Sequence, residues 1–466
     1  MRTDCNSEPI QFSSLGRQQL VAQFDGGKIT SDAGVLLLRE VARKMKLFER
    51  LSGCLPDPRD PLLIEHDQQT MLAQRILGIA CGWEDLNDHD TLRIDPLMQV
   101  ATERVVDADR PLASAPTLCR LENRVDNSAN AAISKLLVEL FVESFDKPPA
   151  ELILDFDATD DPTHGRQEGS FFHGYYKNYC FLPLYVFCGE RLPASYLRPS
   201  NIDAAKNSRA LLKLLVKRLR QAWPEVRIIF RGDSGFNRIK LRTWCSENDV
   251  VYVIGLAGNG VLERKAAPYL LEAQKQFETT KAKARVFGTF RYAAKTWPVE
   301  ERVIVKGEHT DKGANPRYIV TNLREEEFEA ALKQMEAAKT TTSIEIAQDM
   351  YDKVYCARGE MENRIKEQQL GLFADRTSCH RFAANQFRLL LSSLAYVLIE
   401  TLRRTALAGT ELAQAQVTTI RTKLLKIGAV VVTSVRRIVL RMSSSYPLQK
   451  LFAAIASKLV PQAQLE

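Results

Sequence analysis

The chain has 466 residues, of which 45% are hydrophobic and 26% charged, which is ordinary for a globular protein of about two to four domains. The formal net charge is +7, and the segment from Arg381 onwards carries twelve Lys and Arg against three acids, which suggests a polyanionic partner unless these cations merely form solvated helix faces. The sequence has no apolar leader, its run Leu389–Leu402 is too short and polar to span a bilayer, and its nine cysteines include no Cys-x-x-Cys pair, so we expect a cytoplasmic protein without zinc fingers.

Residues 1–148 are predicted to form a mainly helical region. A short strand-like run, Gln19–Phe24, precedes the first helix. Helices are expected over about 33–47, 62–81, 95–101 and 131–145. The basic residues that are candidates for DNA contact here are Arg104, Arg110, Arg120 and Arg124. Composition alone favours a DNA-binding region only slightly over a purely structural helical bundle.

Residues 149–256 change to an α/β pattern, which predicts a mixed sheet. Strands are expected over 151–157, 179–188, 192–197, 226–230 and 250–255, and helices over 204–223 and 237–248. The first strand ends at Asp157 and the strand beginning near Val226 is followed by Asp233. Active sites in such sheets lie beyond the strand ends, so both aspartates are candidate site residues.

Residues 257–350 are predicted to form a β-rich insertion. A helix over 262–281 precedes strands over 285–293, 301–307 and 317–321, and a further helix is expected over 325–338. Aromatic and basic residues alternate here, which makes Trp297 a candidate for DNA contact, although interleaved aromatics are also normal in hairpin packing. Residues 351–380 return to the core with a helix, and residues 381–466 form a basic, mainly helical region for DNA contact or dimerisation, with Arg436 and Arg437 as candidate DNA ligands.

The helix near residue 360 carries the third candidate acid. Tyr355, Arg358, Glu362 and Lys366 are spaced so that they line one helical face. Taken alone, this stripe is more often a solvated ladder of ion pairs. Combined with two aspartates at strand ends, Glu362 completes the three acids that a two-metal phosphodiester site requires.

Magnesium prefers a few carboxylates together with substrate phosphate and water. Asp157, Asp233 and Glu362 are therefore the predicted ligands of two Mg²⁺ ions, for which Mn²⁺ can substitute. Asp155 lies two residues before Asp157 and faces the same side of the strand, so it competes for the first position. Arg358 and Lys366 would hold phosphates near the metals, and Tyr355 would hydrogen-bond a phosphate oxygen.

At this point the sequence resembles a DDE transposase of a bacterial insertion sequence, of the group 1 type with a tyrosine–arginine–glutamate signature. The motifs that carry the resemblance are residues 24–34, 116–123, 154–159, 231–236 and the block from Tyr355 to Glu362. The resemblance implies an RNase H-like core with a β-rich insertion, and Asp157, Asp233 and Glu362 as the metal-binding triad. The lysine of the signature falls at Gln369 here, and Lys366, one turn earlier, is its possible substitute.

The resemblance implies cut-and-paste transposition. A metal-activated water cleaves at the element's end, and the freed 3′-OH attacks target double-stranded DNA. It further implies a homodimer that binds terminal inverted repeats and a location on the nucleoid. Two alternatives stay open: a non-catalytic DNA-binding protein, or a structure-specific nuclease, on the same fold.

Overall fold

The structure is a computed structural model that describes residues 9–107, 109–323 and 343–460. The helix predicted over 325–338 lies outside the described residues. Two compact units are present, which we call the terminal unit and the central unit. The terminal unit comprises Met1–Leu136, Glu367–Arg376 and Phe387–Glu466, and the central unit comprises Leu137–Lys366 and Thr377–Gln386.

The β-strands in chain order are β1 Ile10–Leu15, β2 Gln18–Ala22, β3 Ile29–Thr30, β4 Glu151–Ala158, β5 Asp161–Pro162, β6 Phe171–His173, β7 Asn178–Phe181, β8 Leu184–Cys188, β9 Arg191–Tyr196, β10 Arg227–Gly232, β11 Val250–Leu256, β12 Ala284–Tyr292, β13 Glu301–Thr310, β14 Gly313–Ala314, β15 Arg317–Thr321, β16 Ala429–Thr433 and β17 Ile438–Met442.

The α-helices in chain order are α1 Val35–Met45, α2 Leu47–Ser52, α3 Gln68–Cys81, α4 His89–Leu92, α5 Pro96–Ala101, α6 Ala115–Arg124, α7 Asn127–Glu143, α8 Ser208–Ala222, α9 Ile239–Glu247, α10 Gly260–Thr280, α11 Ser343–Asp349, α12 Gly359–Lys366, α13 Phe382–Ala406, α14 Val417–Ile420 and α15 Gln449–Leu459. Short 3-10 turns lie at Pro61–Leu63, Ser234–Phe236 and Cys356–Arg358, and π-turns at Met350–Tyr355, Glu367–Gly371 and Arg421–Leu425.

The central unit is built on one mixed sheet in the order β12-β13-β15-β11-β10-β4-β8-β9, with β14 paired to β13. Strands β4, β10 and β11 are mutually parallel, and the others pair antiparallel. The alternating pattern after residue 284 predicts strands correctly, but it does not predict their partners. They do not form a separate sheet, because β15 pairs with β11 and so extends the central sheet.

The run predicted as one strand over 179–188 is two strands, β7 and β8. Pro183 lies between them. A proline has no backbone N–H to donate and disrupts a central strand. As a result β7 pairs with β5 and β6 in a small three-stranded sheet, whereas β8 pairs with β4 in the central sheet.

Both faces of the central sheet are covered. On one face α8, α9 and α10 contribute apolar side chains to a core that includes Leu154, Phe156 and Phe230. On the other face α11 and the following π-turn pack Ile346 and Met350 against residues of β10, β11 and β15. The side chains of Asp155 and Asp157 belong to this second face, because they alternate along β4 with Leu154 and Phe156, which pack on the first face.

The terminal unit combines α1 to α6 with the small sheet β17-β16-β3 and the hairpin β1-β2. A buried polar cluster lies in this unit, where Arg75 donates to Glu122 at 2.8 Å and contacts the His89 ring at 3.1 Å. Among the described residues, helix Phe382–Ala406 is long and apolar enough to cross a bilayer, but 83% of its apolar window is buried inside the structure, as in a protein core.

Candidate active site

Two carboxylates lie where neighbouring parallel strands end. Asp157 is the penultimate residue of β4, and Asp233 directly follows β10. The register pairs Asp155, two residues before Asp157, with Arg231, two residues before Asp233. Both carboxylates therefore lie at the same edge of the sheet. The Asp233 side chain accepts a hydrogen bond of 2.9 Å from the backbone N–H of Gly235, which caps the following 3-10 turn and fixes the carboxylate there.

The segment that brings Glu362 to this edge is not one regular α-helix. A wide π-turn, Met350–Tyr355, is followed by a narrow 3-10 turn, Cys356–Arg358, and then by α12. In a 3-10 turn residues three apart eclipse each other, which places Tyr355 and Arg358 on one side. Irregular turns of this kind are frequent at functional sites. Sequence periodicity predicts a helix here but gives no sign of these changes in width.

Arg358 connects two of the three acids. Its guanidinium lies 3.1 Å from Oδ2 of Asp157 and 3.4 Å from Oε1 of Glu362. Asp157 and Arg358 are mostly covered, with side-chain exposures of 16% and 17%, whereas the Glu362 side chain is 52% exposed. Burial opposes the charge of Arg358, but the neighbouring acids, Asp157 foremost, hold the pKa of its guanidinium above the ordinary value. Arg358 is therefore a permanent cation at this edge.

Asp157 experiences strong opposing electrostatic effects. Burial raises the pKa of its carboxyl to about 6, Arg358 opposes that rise, and the negative charges of Asp233 and Glu362 add to it. The three acids predicted from the sequence are thus close enough to affect the ionisation of one of them. Burial is the largest of these effects, so the raised pKa reflects chiefly the desolvation of this carboxyl.

Tyr355 packs closely against Gly255 on β11. A Cβ atom on Gly255 would lie 2.6 Å from the Tyr355 hydroxyl and 2.8 Å from the backbone nitrogen of Ser234. Only glycine allows this approach, so Gly255 lets the Tyr355 hydroxyl reach the turn that begins at Asp233. Burial raises the pKa of Tyr355, and the hydroxyl stays protonated and able to donate a hydrogen bond.

Asp155, the competitor for the first acid position, has another role. It accepts two hydrogen bonds from Arg231, one of them at 2.6 Å from Nη2, and both residues are buried. The third guanidinium nitrogen of Arg231 donates to the backbone carbonyl of Val354 in the π-turn. The pair therefore joins β4, β10 and the segment that carries Glu362, and Asp155 is engaged with Arg231 instead of facing the edge.

Lys366 occupies the last turn of α12, four residues after Glu362, and its side chain is exposed. Residues four apart on an α-helix lie on the same face. The proposed phosphate contact of Lys366 is compatible with this place and stays a prediction.

Trp297 lies away from the carboxylates. The guanidinium of Arg242 lies 3.8 Å from the centroid of its ring, and Tyr292 meets the ring edge-on at 5.2 Å. Trp297 is in the connection from β12 to β13. Strand β13 runs in the same direction as β11, because β15 is antiparallel to both, so this connection enters β13 from the side of the sheet on which β11 begins. Asp157 and Asp233 lie at the opposite edge. A DNA contact by Trp297 stays a prediction, at a place outside the acidic site.

Arg436 and Arg437 belong to the terminal unit. They lie in the turn between β16 and β17, where the backbone N–H of Ser434 donates to the carbonyl of Arg437 at 2.8 Å. Both residues are exposed. Their role in binding DNA stays a prediction. Arg124, in contrast, is held by an ion pair of 3.1 Å with Asp57.

Tyr176 is a residue near the site that sequence reasoning missed. Its hydroxyl donates to the carbonyl of Ala158, the neighbour of Asp157, across 3.4 Å. The available signal was the density of aromatic residues in the ten positions from Phe171, close after the strand that carries Asp157.

The acidic edge presents carboxylates beside a guanidinium. Within the described ranges 9–107, 109–323 and 343–460, no three carboxylate, imidazole or thiolate groups are arranged to hold a metal, and the guanidinium of Arg358 lies between Asp157 and Glu362. The donor atoms nevertheless suit a hard cation, since they are carboxylate oxygens. Burial is the main cause of the raised pKa of Asp157, and the charges of Asp233 and Glu362 add to it, so a cation at this edge would favour the ionised carboxylate. On donor chemistry and charge, the residues fit a divalent cation.

The fold and site define a mixed α/β protein in which acids delivered by two strand ends and a helix meet beside an arginine. A family model matches residues 12–464, and the chain belongs to the family described as Transposase DDE domain group 1. The resemblance to DDE transposases is thereby confirmed. The family is one of DNA-cleaving and strand-transferring transposases, which generally use divalent metal ions.

A piggyBac transposase, solved by cryo-electron microscopy in a synaptic complex with hairpin DNA, is among the similar structures. It shares 10% identity with this chain at a TM-score of 0.41, over 85% of this chain and 79% of that one. A likeness at that level carries no functional argument. No curated protein matches the chain.

The role of the buried pair predicts the result of changing Arg231 to lysine. A lysine keeps the charge beside Asp155 but cannot also donate to the carbonyl of Val354. We expect amide hydrogen exchange over residues 350–366 to accelerate by about tenfold or more, because a hydrogen bond from a charged group is lost. Arg227→Lys, on the same strand beside the half-exposed Glu151, is the matched control and leaves that segment unchanged. If residues 350–366 are equally protected from hydrogen exchange in both variants, the role of Arg231 is contradicted.

The raised pKa of Asp157 predicts a pH-dependent gain in stability for Asp157→Asn in the metal-free protein. The unfolded chain ionises this group near its ordinary value of about 3.9, whereas the folded protein retains the proton up to about 6. Between these values the folded state binds more protons, so the wild type loses stability as pH rises. Asparagine avoids this loss, and its advantage grows from near zero at about pH 4 to the order of 1–3 kcal/mol at about pH 7.5.

The measurement is thermal unfolding in EDTA across this pH range, with Asp311→Asn, at an exposed aspartate, as the surface control. A difference between Asp157→Asn and wild type that stays constant with pH would contradict the raised pKa.

Proposed function

We propose that this protein catalyses metal-dependent cut-and-paste transposition of a bacterial insertion sequence, with Asp157, Asp233 and Glu362 as its catalytic and metal-binding residues. The observation that carries the proposal is the contact of Arg358 with both Asp157 and Glu362 at the edge where β4 and β10 end, with Asp233 directly after β10. Family membership supplies the class of reaction.

The residues that would hold two Mg²⁺ ions, or Mn²⁺ in their place, are Asp157, Asp233 and Glu362. When bound, such ions activate an attacking oxygen and stabilise the leaving one in phosphodiester chemistry. In this chain the two aspartates are positioned by strand ends and the cap at Gly235, so their carboxylates are fixed before DNA binds. Glu362 is more exposed and comes from a helix, so its position depends on how the preceding turns are held.

Arg358 is proposed to bind a DNA phosphate at the site. Its planar guanidinium presents five donors, and its contacts with Asp157 and Glu362 use only part of them. A bidentate contact to phosphate suits this group. A phosphate and the two carboxylates would use the same guanidinium nitrogens of Arg358. Arg358 would therefore exchange a carboxylate for a phosphate when DNA binds.

Tyr355 and Lys366 would complete the phosphate contacts. The protonated hydroxyl of Tyr355 can donate to a phosphate oxygen, and Lys366 supplies an exposed point charge one turn beyond Glu362. Trp297, Arg436 and Arg437 are proposed to contact DNA outside the acidic edge.

We also propose an RNase H-like core for the central unit. The support is the succession of the antiparallel strands β4, β8 and β9 followed by β10 and β11 parallel to β4, with both aspartates at one edge. The proposed partners are terminal inverted repeats and target double-stranded DNA, bound by a homodimer on the nucleoid in the cytoplasm. The basic segment from Arg381 onwards supports a polyanionic partner.

Cleavage of a labelled duplex that carries the ends of the element tests this proposal. We expect Mg²⁺-dependent release of a 3′-OH end by the wild type, loss of cleavage with retained DNA binding in Glu362→Gln, and joining of pre-cut ends to a target plasmid. Glu360→Gln changes an exposed glutamate two residues earlier on the same helix and is the matched control, with cleavage unchanged.

Other outcomes would select other functions. Binding without cleavage by the wild type, with Mn²⁺ also tried, indicates a non-catalytic DNA-binding protein. Cleavage without joining of pre-cut ends indicates a nuclease. Full activity of Glu362→Gln contradicts the role of that residue.

A further inference from the structure

A hairpin of the central unit exposes an unusual number of aromatic rings. It consists of β6, the turn Gly174 to Lys177 and β7, and we call it the aromatic hairpin. Tyr175 at its tip is 83% exposed, and Tyr179 and Phe172 are 61% and 57% exposed. Large aromatic side chains contribute most when they are buried, and a group of them left in water marks a surface that binds something.

The aromatic hairpin lies beside the acidic edge. The Tyr176 hydroxyl contacts the carbonyl of Ala158 at 3.4 Å, and the Asn178 side chain donates to Asp160 at 3.2 Å. Ala158 and Asp160 follow Asp157 by one and three residues. The exposed ring of Tyr175 meets the Tyr176 ring edge-on at 5.0 Å, so the tip of the hairpin connects the exposed rings with the contact beside Asp157.

The rings are arranged on two sides of the hairpin. Phe172 and Tyr179 are cross-strand partners, with ring centroids 5.7 Å apart in an edge-to-face contact, and both stay exposed. On the other side the rings of His173 and Tyr176 lie 4.9 Å apart, and Tyr176 is half buried. The inner pair thus supports the hairpin against the site, and the outer pair, with Tyr175, is left available.

The composition of the hairpin limits what its occupant can be. Lys177, exposed at the turn, is the one Lys, Arg, Asp or Glu residue of the hairpin. The surface of a paired duplex is dense in phosphate and is bound mainly by cations. Unpaired bases instead offer flat π-faces that stack on aromatic side chains in a sequence-tolerant way.

We propose that the aromatic hairpin binds unpaired DNA bases next to the phosphate on which the acidic site acts, by stacking them on Phe172, Tyr175 and Tyr179. The inference rests on the proposed function for the identity of the substrate as DNA. Base faces are hidden inside a duplex, so stacking here requires that the DNA is locally melted at the site. Lys177 is placed to contact the backbone of the displaced strand.

Binding to two probes in EDTA tests the inference without any chemistry. One probe is a fluorescein-labelled duplex, and the other is the same duplex with a short central bubble of unpaired bases that includes 2-aminopurine. We expect the wild type to bind the bubble about tenfold or more tightly than the duplex and to quench 2-aminopurine, since stacking on an aromatic residue strengthens binding to each base by about this factor or more.

Tyr175→Ala combined with Tyr179→Ala is expected to remove the preference and the quenching while affinity for the paired duplex is kept. Tyr175→Phe with Tyr179→Phe restores both, because phenyl rings stack as phenols do. Phe24→Ala is the control, since Phe24 is also 83% exposed but lies in the terminal unit. If thermal unfolding shows that the double variant is destabilised, the single variant Tyr175→Ala is used for the same measurement, because the exposed Tyr175 side chain at the turn is not part of the hydrophobic core.

Three results would overturn the inference: equal affinity of the wild type for both probes, an undiminished preference in the alanine variants, or variants that change only the oligomeric state. These results are distinguishable from failure of the proposed function. A protein that cleaves element ends but shows no bubble preference refutes the stacking site alone, whereas bubble binding without cleavage refutes the catalytic proposal alone.

Discussion

A buried ion pair between Asp155 and Arg231 determines the geometry of the acidic site. Two residues of neighbouring parallel strands are locked together by a two-point contact, and the same guanidinium holds the carbonyl of Val354. A buried charge must keep its partner, since removal of one member of such a pair costs about 3–5 kcal/mol. The strand ends and the segment leading to Arg358 and Glu362 therefore have one relative position.

The site that this pair supports is electrostatically costly in itself. Asp157 is buried near two other acids, and Arg358 offsets only part of the resulting unfavourable energy. A carboxyl buried in this way lowers the stability of the folded protein, a trade-off that is common at functional sites. A cation held at this edge, such as the divalent metal proposed above, would reduce the repulsion among the carboxylates.

The sequence predicts the elements of the site better than their details. Apolar runs ending in Asp157 and followed by Asp233 predict strands with acids at their ends, and the structure has parallel neighbours there. Residues two apart share a strand face, so the sequence favours Asp157 over Asp155 only because Asp157 lies nearer the strand end. The partner of Asp155, Arg231, is seen only in the structure. Turn widths near Tyr355 arise from packing against the sheet, which composition does not record.

The same limit applies to pairing and to aromatic residues. Alternation identifies the strands after residue 284, but the pairing of β15 with β11 depends on contacts distant in sequence. No strand is predicted from the sequence over residues 171–178, and the exposure of the rings there and the closeness of Tyr176 to Asp157 appear only in the folded chain.

Binding of Mn²⁺, followed by electron paramagnetic resonance, tests the central claim that three acids form one metal site. The account predicts that Asp157→Asn, Asp233→Asn and Glu362→Gln each weaken binding while Glu360→Gln does not; wild-type affinity in all three variants would contradict it.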